Sequence, residues 1–241
     1  MKNIVTSIFG ELKNMNDTVI CYYEIIYEAA AHTRGGMQHP LELSKQSREL
    51  LSLWKRSWQK NNWNTIILDN EYARQHHKYH EYDIDSLNNK LYDNWPNKRY
   101  IRACYRRLFA YCYFANINGS ALWADYDVIN YSFKPTLNIQ YNTILGSGTS
   151  VVFLDRHGSS NIIDNIVSKS SGFDHRVVKK RFNPMIAVRN ASGFNNEELT
   201  IPNDILTQNE ECKYSDFVHY HGGLREPGLS RIEFIQKFRP I

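Results

Sequence analysis

Thr18-Val-Ile-Cys-Tyr-Tyr23 and Asn64-Thr-Ile-Ile-Leu-Asp69 are short apolar runs rich in β-branched and aromatic residues, and between them Leu41 to Lys60 sets Leu43, Leu50, Leu51 and Trp54 at helical spacing. Strand, helix, strand in that order predicts a parallel pair joined by a right-handed crossover, the start of an α/β sheet. Ligands of such sheets bind beyond the carboxyl ends of the strands. Those ends carry Tyr23-Glu24 and Asp69.

Further along, Lys98 to Ala115 reads as a helix with Ile101, Tyr105, Leu108, Phe109 and Cys112 inward, and it leads into Ala121-Leu-Trp-Ala-Asp125-Tyr-Asp127-Val-Ile129. Leu122, Trp123 and Ala124 read as a third buried strand. Side chains on a strand alternate faces, so Asp125 and Asp127 are expected to project to one side, where their carboxylates can share a hard cation with two phosphate oxygens. The competing reading of an isolated D-x-D is a solvated turn. The polar stretch from Asn70 to Pro96 reads as short helices, Thr149 to Asp155 as a strand, and Asn161 to Lys169 as a helix. Residues 172 to 212 read as irregular. Asp216 to Arg225 reads as a strand entering a glycine turn, and Ser230 to Phe238 as a closing helix. No repeat, low-complexity segment or interdomain linker interrupts this order, so residues 1–241 are expected to form a single domain.

Composition narrows the class. Hydrophobic residues make 42% of the chain, yet no run approaches the roughly 20 apolar residues needed to span a bilayer. The apolar run within Met1 to Glu11 is too short for a secretory leader, which predicts a soluble cytoplasmic protein without a transmembrane segment. Cys21, Cys104, Cys112 and Cys212 are widely spaced, as expected of reduced thiols rather than a zinc ribbon or a disulfide framework. A net charge of +4 is too mild to demand a nucleic acid and suits a small polyanionic ligand. Lys98, Arg99, Arg102, Arg106 and Arg107 concentrate the excess just ahead of the acidic motif, with 99, 102 and 106 along one helical face. That face is either solvated or turned to phosphate. The 16 tyrosines offer stacking surfaces for a base or a sugar.

Other polar clusters are weaker signals. His76, His77 and His80 lack partner ligands at tight spacing and read as solvated surface, as do His157 and His175. His219 and His221 follow an apolar strand and share a face by alternation. Trp54, Trp58 and Trp63 read as core, and Gly146-Ser-Gly148 as either a turn or a close backbone approach for an acceptor.

Taken in order, these segments resemble the metal-dependent glycosyltransferases of the GT-A fold, particularly the DXD sugar-binding and capsular-polysaccharide-synthesis types. Tyr22-Tyr-Glu24 resembles the end of the family's first strand, Pro40 with Ser57-Trp58 and Trp63 its following helix and turn, and Ile66 to Asp69 its second strand. Arg106 with Leu108, and Trp123-Ala-Asp-Tyr-Asp127, are similar to its arginine-bearing helix and D-x-D strand. His219-x-x-Gly222-x-x-Arg225 resembles a C-terminal H-x-x-G-x-x-K element of retaining members. The resemblance spans residues 18 to 135 and 216 to 225. It departs from the family at Asn118-Gly119-Ser120-Ala121, where a double glycine is usual, and in lacking a Ser-Asp pair before the helix arginine, which leaves Arg102 and Arg107 as alternatives to Arg106.

The resemblance implies a GT-A (Rossmann-like) domain with a mixed, mainly parallel sheet flanked by helices, and a nucleotide diphosphate-sugar donor such as a UDP- or GDP-sugar. It implies Mn2+ or Mg2+ on Asp125, Asp127 and His219, and donor contacts from Tyr22, Tyr23, Asp69, Arg106, Asp125, Gly222 and Arg225. The acceptor would be a carbohydrate or a protein, with no nucleic acid, and retention at the anomeric carbon follows from the tail. Asp155, Asp174 and Asp204 remain undistinguished as a base. Two other classes share these features: a nucleotidyltransferase, for which Arg34-Gly35-Gly36 is a poor glycine-rich loop, and a binding module without turnover.

Overall fold

The computed structural model describes residues 17–25, 40–81, 98–135, 142–145, 149–171, 188, 195–197, 210–220 and 229–241. The first unit is β1 (Thr18–Tyr22), α1 (Pro40–Lys60) and β2 (Asn64–Leu68). β1 and β2 pair in parallel from Thr18 opposite Asn64 to Tyr22 opposite Leu68, as the strand, helix, strand pattern predicts. Asn62 ends α1 with a φ of 67°, a left-handed conformation that asparagine tolerates, and Trp63 N–H returns to the Trp58 carbonyl.

Two short helices follow, α2 (Asn70–Arg74) and α3 (His77–Glu81), and then the long α4 (Lys98–Asn118). α4 passes to β3 (Ser120–Ala124) through one residue, Gly119, whose φ of 93° is costly for any residue with a Cβ. After β3 come β4 (Val128–Asn130), β5 (Thr143–Leu145), β6 (Val151–Asp155), α5 (Arg156–Ser171) and β7 (Asn195–Glu197). A 3-10 turn (Glu210–Tyr214), β8 (Phe217–His219) and α6 (Arg231–Phe238) complete the described chain.

Six strands form one sheet in the order β2-β1-β3-β6-β5-β7. β2, β1 and β3 are mutually parallel, β6 runs against both β3 and β5, and β7 is parallel to β5. The α/β class with a mixed, mainly parallel sheet is therefore observed. Alternation along the strands sorts the core into two layers. Ile20, Tyr22, Ala121, Trp123, Val152 and Leu154 pack under α4 and α5, against Tyr105, Leu108, Phe109, Cys112 and Ile162. Val19, Cys21, Leu122, Ala124, Val151 and Phe153 face the other way, onto Trp54 and Trp58 of α1 with Trp63 and Phe133.

The three tryptophans are at most 3% exposed, so they are core and not a ligand platform. The four cysteines are free, as expected, and three of them are buried. His76 departs from its expected surface position. It is 2% exposed, stacks on His77, meets Phe109 edge-on, and burial with His77 and Lys78 nearby lowers it to about 4. Among the described residues no helix is long and apolar enough to cross a membrane.

β4 and β8 form a separate antiparallel ribbon, with Val128 opposite His219, Ile129 opposite Val218 and Asn130 opposite Phe217. Three-residue strands have little hydrogen bonding of their own. Side chains from α1 fasten this ribbon to the rest: Ser57 Oγ accepts from Asn130 N–H, and Trp58 Nε1 donates to the Val128 carbonyl. On its far side Ile129, Val218 and Tyr220 bury against Leu50 and Leu53 of α1 and Ile235 of α6.

Candidate metal centre

The acidic pair does not lie along a strand. β3 ends at Ala124, and Asp125-Tyr126-Asp127 forms a turn closed by Val128 N–H donating to the Asp125 carbonyl at 2.9 Å. The reason is the change of sheet. The chain must leave β3, whose neighbours are β1 and β6, and enter β4, whose partner is β8. A tight turn makes that change, and it brings the two carboxylates together by folding rather than by pleat.

Each acid is held from a different element. Asp125 N–H donates to the Ser150 carbonyl at 2.9 Å, and its carboxylate meets Arg107 of α4 at 2.8 Å with 11% of the side chain exposed. Among the described residues its Oδ1 is buried without a hydrogen-bond partner. Asp127 anchors the ribbon, its carbonyl accepting from Tyr220 N–H at 2.9 Å. Its carboxylate faces His219 Nε2 at 3.4 Å and Arg231 at 3.6 Å. Pairing Val128 with His219 is what delivers the imidazole.

One ligand atom from each of Asp125, Asp127 and His219 lies within 4.8 Å of the others, the spacing of groups that can share one cation. Two carboxylates suit magnesium or manganese, and the added imidazole shifts the preference to manganese. Burial works against the ionised acids even with Arg107 and Arg231 beside them. Burial pushes the Asp125 carboxyl up to about 6 against the opposing pull of Arg107, with Asp127 adding to the rise and His219 opposing it. The Cys21 thiol below is also pushed up, by burial and then by Asp125 and Asp127. A divalent cation would satisfy the orphaned Asp125 oxygen and remove the repulsion between the acids, so the residues present fit one.

The other expected contacts divide. Tyr23, just past β1, is partly exposed and meets Tyr126 edge-on with ring centroids 5.9 Å apart, which places it beside the acidic turn. Tyr22 is core: it is 5% exposed, its N–H donates to Tyr111 Oη, and its hydroxyl donates to Glu24 at 2.6 Å. Asp69 is a helix cap, accepting from Tyr72 N–H at the start of α2. Arg106 donates to Glu24 at 2.6 Å and to Tyr79 at 3.2 Å, so the arginine at the acidic turn is its neighbour Arg107. Asp155 likewise caps α5, accepting from Gly158 N–H. Gly222, Arg225, His221, Gly146, Gly148, Asp174 and Asp204 lie outside the described residues, as does the side chain of Arg99.

Sequence reasoning missed Arg231 and Tyr126, and offered Arg107 only as an alternative to Arg106. Arg107 had a signal: it lies one turn before Tyr111, and Tyr111 is fully buried against Trp123 and the end of β1. Searches against protein-family models, curated proteins and solved structures found no match to this chain.

Proposed function

We propose that the protein is a metal-dependent glycosyltransferase using a nucleoside diphosphate-sugar, a UDP- or GDP-sugar, with Mn2+ or Mg2+. The observation that carries this reading is the convergence of Asp125, Asp127 and His219 within 4.8 Å just beyond the carboxyl end of β3, between β1 and the ribbon. Open α/β sheets bind ligands in that place. A bound divalent cation would supply Lewis-acid neutralisation of the charge that develops on the departing diphosphate.

The chain's own residues would do the rest. Asp125 and Asp127 hold the cation as ionised carboxylates, and His219 offers a neutral nitrogen. Arg107 orients Asp125 from a buried helix and offers a fixed positive charge for phosphate oxygens. Tyr23 offers a ring face or edge for the base, and Tyr126 fixes it from behind. In the transfer, the bond from the anomeric carbon to the diphosphate oxygen would break, a bond to an acceptor hydroxyl oxygen would form, and the hydroxyl proton would pass to the departing diphosphate or to solvent. The acceptor, a carbohydrate or a protein, is the group that takes the sugar. The competing reading is an ion-pair knot that fastens the turn.

The deciding experiment is thermal denaturation with UDP- and GDP-sugars, with and without manganese, followed by nucleoside diphosphate release. A ligand at 100 times its dissociation constant raises stability by about 2.7 kcal/mol. Stabilisation that requires both metal and nucleotide-sugar is expected. No joint stabilisation by any donor would reject the reading.

A further inference from the structure

We infer that Arg231 is a diphosphate-binding residue of this site, held on Asp127 in the metal-free protein and exchanged onto the ligand when the cation is bound; the inference rests on the glycosyltransferase reading. The two acids are matched by two guanidiniums from two different helices, α4 and α6. Arg107 stands at 2.8 Å from Asp125, whereas Arg231 stands at 3.6 Å from Asp127, too far for a close charge-assisted hydrogen bond. Arg231 therefore gives up less on leaving.

Its anchor is well built even though its contact is loose. Arg231 is the first residue of α6, whose start is fixed by Ser230 Oγ accepting from Glu233 N–H and by the Glu233 carboxylate accepting from Ser230 N–H. Ile235 is fully buried among Leu50, Leu53, Ile129 and Val218, and Phe234 and Phe238 both pack edge-on against Tyr220. Tyr220 is bonded to Asp127 through its N–H, so the helix and the acidic turn are one packed unit. The Arg231 side chain is 15% exposed and lies close to Tyr126, the ring that meets Tyr23 edge-on.

The charges then dictate the exchange. A divalent cation on Asp125, Asp127 and His219 takes the oxygens that Arg231 faces and repels its guanidinium. A partly buried guanidinium needs a new anion within its reach, and the diphosphate bound to that cation is the nearest. The planar fork of arginine suits two phosphate oxygens. Arg231 should thus oppose metal binding alone and favour metal together with diphosphate.

The opposing signs make the test. Titrations of the full chain with MnCl2, followed by the free-ion electron paramagnetic resonance signal, and with UDP at saturating MnCl2, by calorimetry, compare wild type with Arg231→Met. The variant should bind manganese alone several-fold more tightly and, with manganese present, bind UDP about 10- to 100-fold more weakly, the range of one charged hydrogen-bond pair. Arg231→Lys keeps the charge without the fork, so it should keep wild-type manganese affinity and lose part of the UDP affinity; it carries the test if the methionine variant does not fold. Losses of both affinities in parallel, or neither changing, would overturn the inference while leaving the glycosyltransferase reading standing. Wild-type protein that binds manganese but no UDP or GDP would overturn that reading and the role of Arg231 with it.

Discussion

Two adjacent arginines on α4 enter two carboxylate clusters of opposite character. Arg106 joins a closed network in which Glu24 accepts from Arg106 and from the Tyr22 hydroxyl, while Arg106 also donates to Tyr79. Arg107 joins the acidic turn, where Asp125 keeps a buried oxygen without a hydrogen-bond partner among the described residues, a second acid lies two residues away, and burial raises the carboxyl to about 6. The first cluster has one acid, matched and hydrogen-bonded, and needs nothing further to be stable. The second holds two buried acids which, even with Arg107 and Arg231 beside them, leave a carboxylate oxygen for a cation to take. A satisfied network holds a fold, whereas an unsatisfied one is where a ligand does work.

Substitution should separate the two clusters. The largest effect is expected for Asp127→Asn, which should weaken manganese binding by about 100-fold or more, since even changes behind the ligands cost 10- to 100-fold. Its melting temperature without metal should stay within about 2 °C of wild type, because the side chain keeps its size and the turn is closed by backbone. Unaltered manganese affinity in that variant would make the acidic turn structural.

Arg106→Met reverses the pattern. It strips a partly buried Glu24 of its cation, so stability should fall by about 2 kcal/mol, or roughly 4–8 °C for a chain of this size. Manganese affinity should change less than about threefold, because Arg106 is engaged with Glu24 and Tyr79. A large loss of metal binding with intact stability would show that the two arginines have been assigned to the wrong clusters.

Acidification provides a smaller, graded test. Asp125 is protonated below about 6, so manganese affinity should be about tenfold lower at pH 5 than at pH 7. The metal-free protein moves the opposite way. The folded state holds this proton more tightly than the unfolded chain, so the contribution of Asp125 to stability rises as the pH falls from about 6 toward 4. Stabilisation by manganese that is flat between pH 5 and 7 would remove Asp125 from the ligand set.

Tyr23→Ala carries the smallest expected effect, about 1 kcal/mol of UDP or GDP affinity at saturating manganese, the low end for base stacking because the ring already packs on Tyr126. Manganese affinity alone should not move. Equal nucleotide affinity would place the base elsewhere, though not on Trp58, which is fully buried.

The legible parts of this structure were those with length. Five-residue β1 and β2 around a 21-residue helix declare themselves by periodicity, and so does α4. β4, β5, β7 and β8 have three residues each, too few to show a period, and the pairing of β4 with β8 joins segments far apart in sequence. The sequence therefore brought Asp125, Asp127 and His219 together by resemblance, and the reason, a turn between two sheets, is visible only in the fold. Arg106 and Arg107 differ by about 100° around a helix, and sequence does not say which carboxylate each will meet. Arg231 opens a helix that periodicity found, but its approach to Asp127 depends on how Ile235 and Phe234 seat that helix.

Whether Asp125, Asp127 and His219 form a metal site is decided by titrating the wild-type protein with MnCl2 and following the six-line resonance of free manganese. Loss of the free signal is expected, with one ion bound per chain, strengthened by UDP or GDP and absent in Asp125→Asn. A free-ion signal that grows in proportion to added manganese, the same with and without protein up to millimolar concentration, would contradict it.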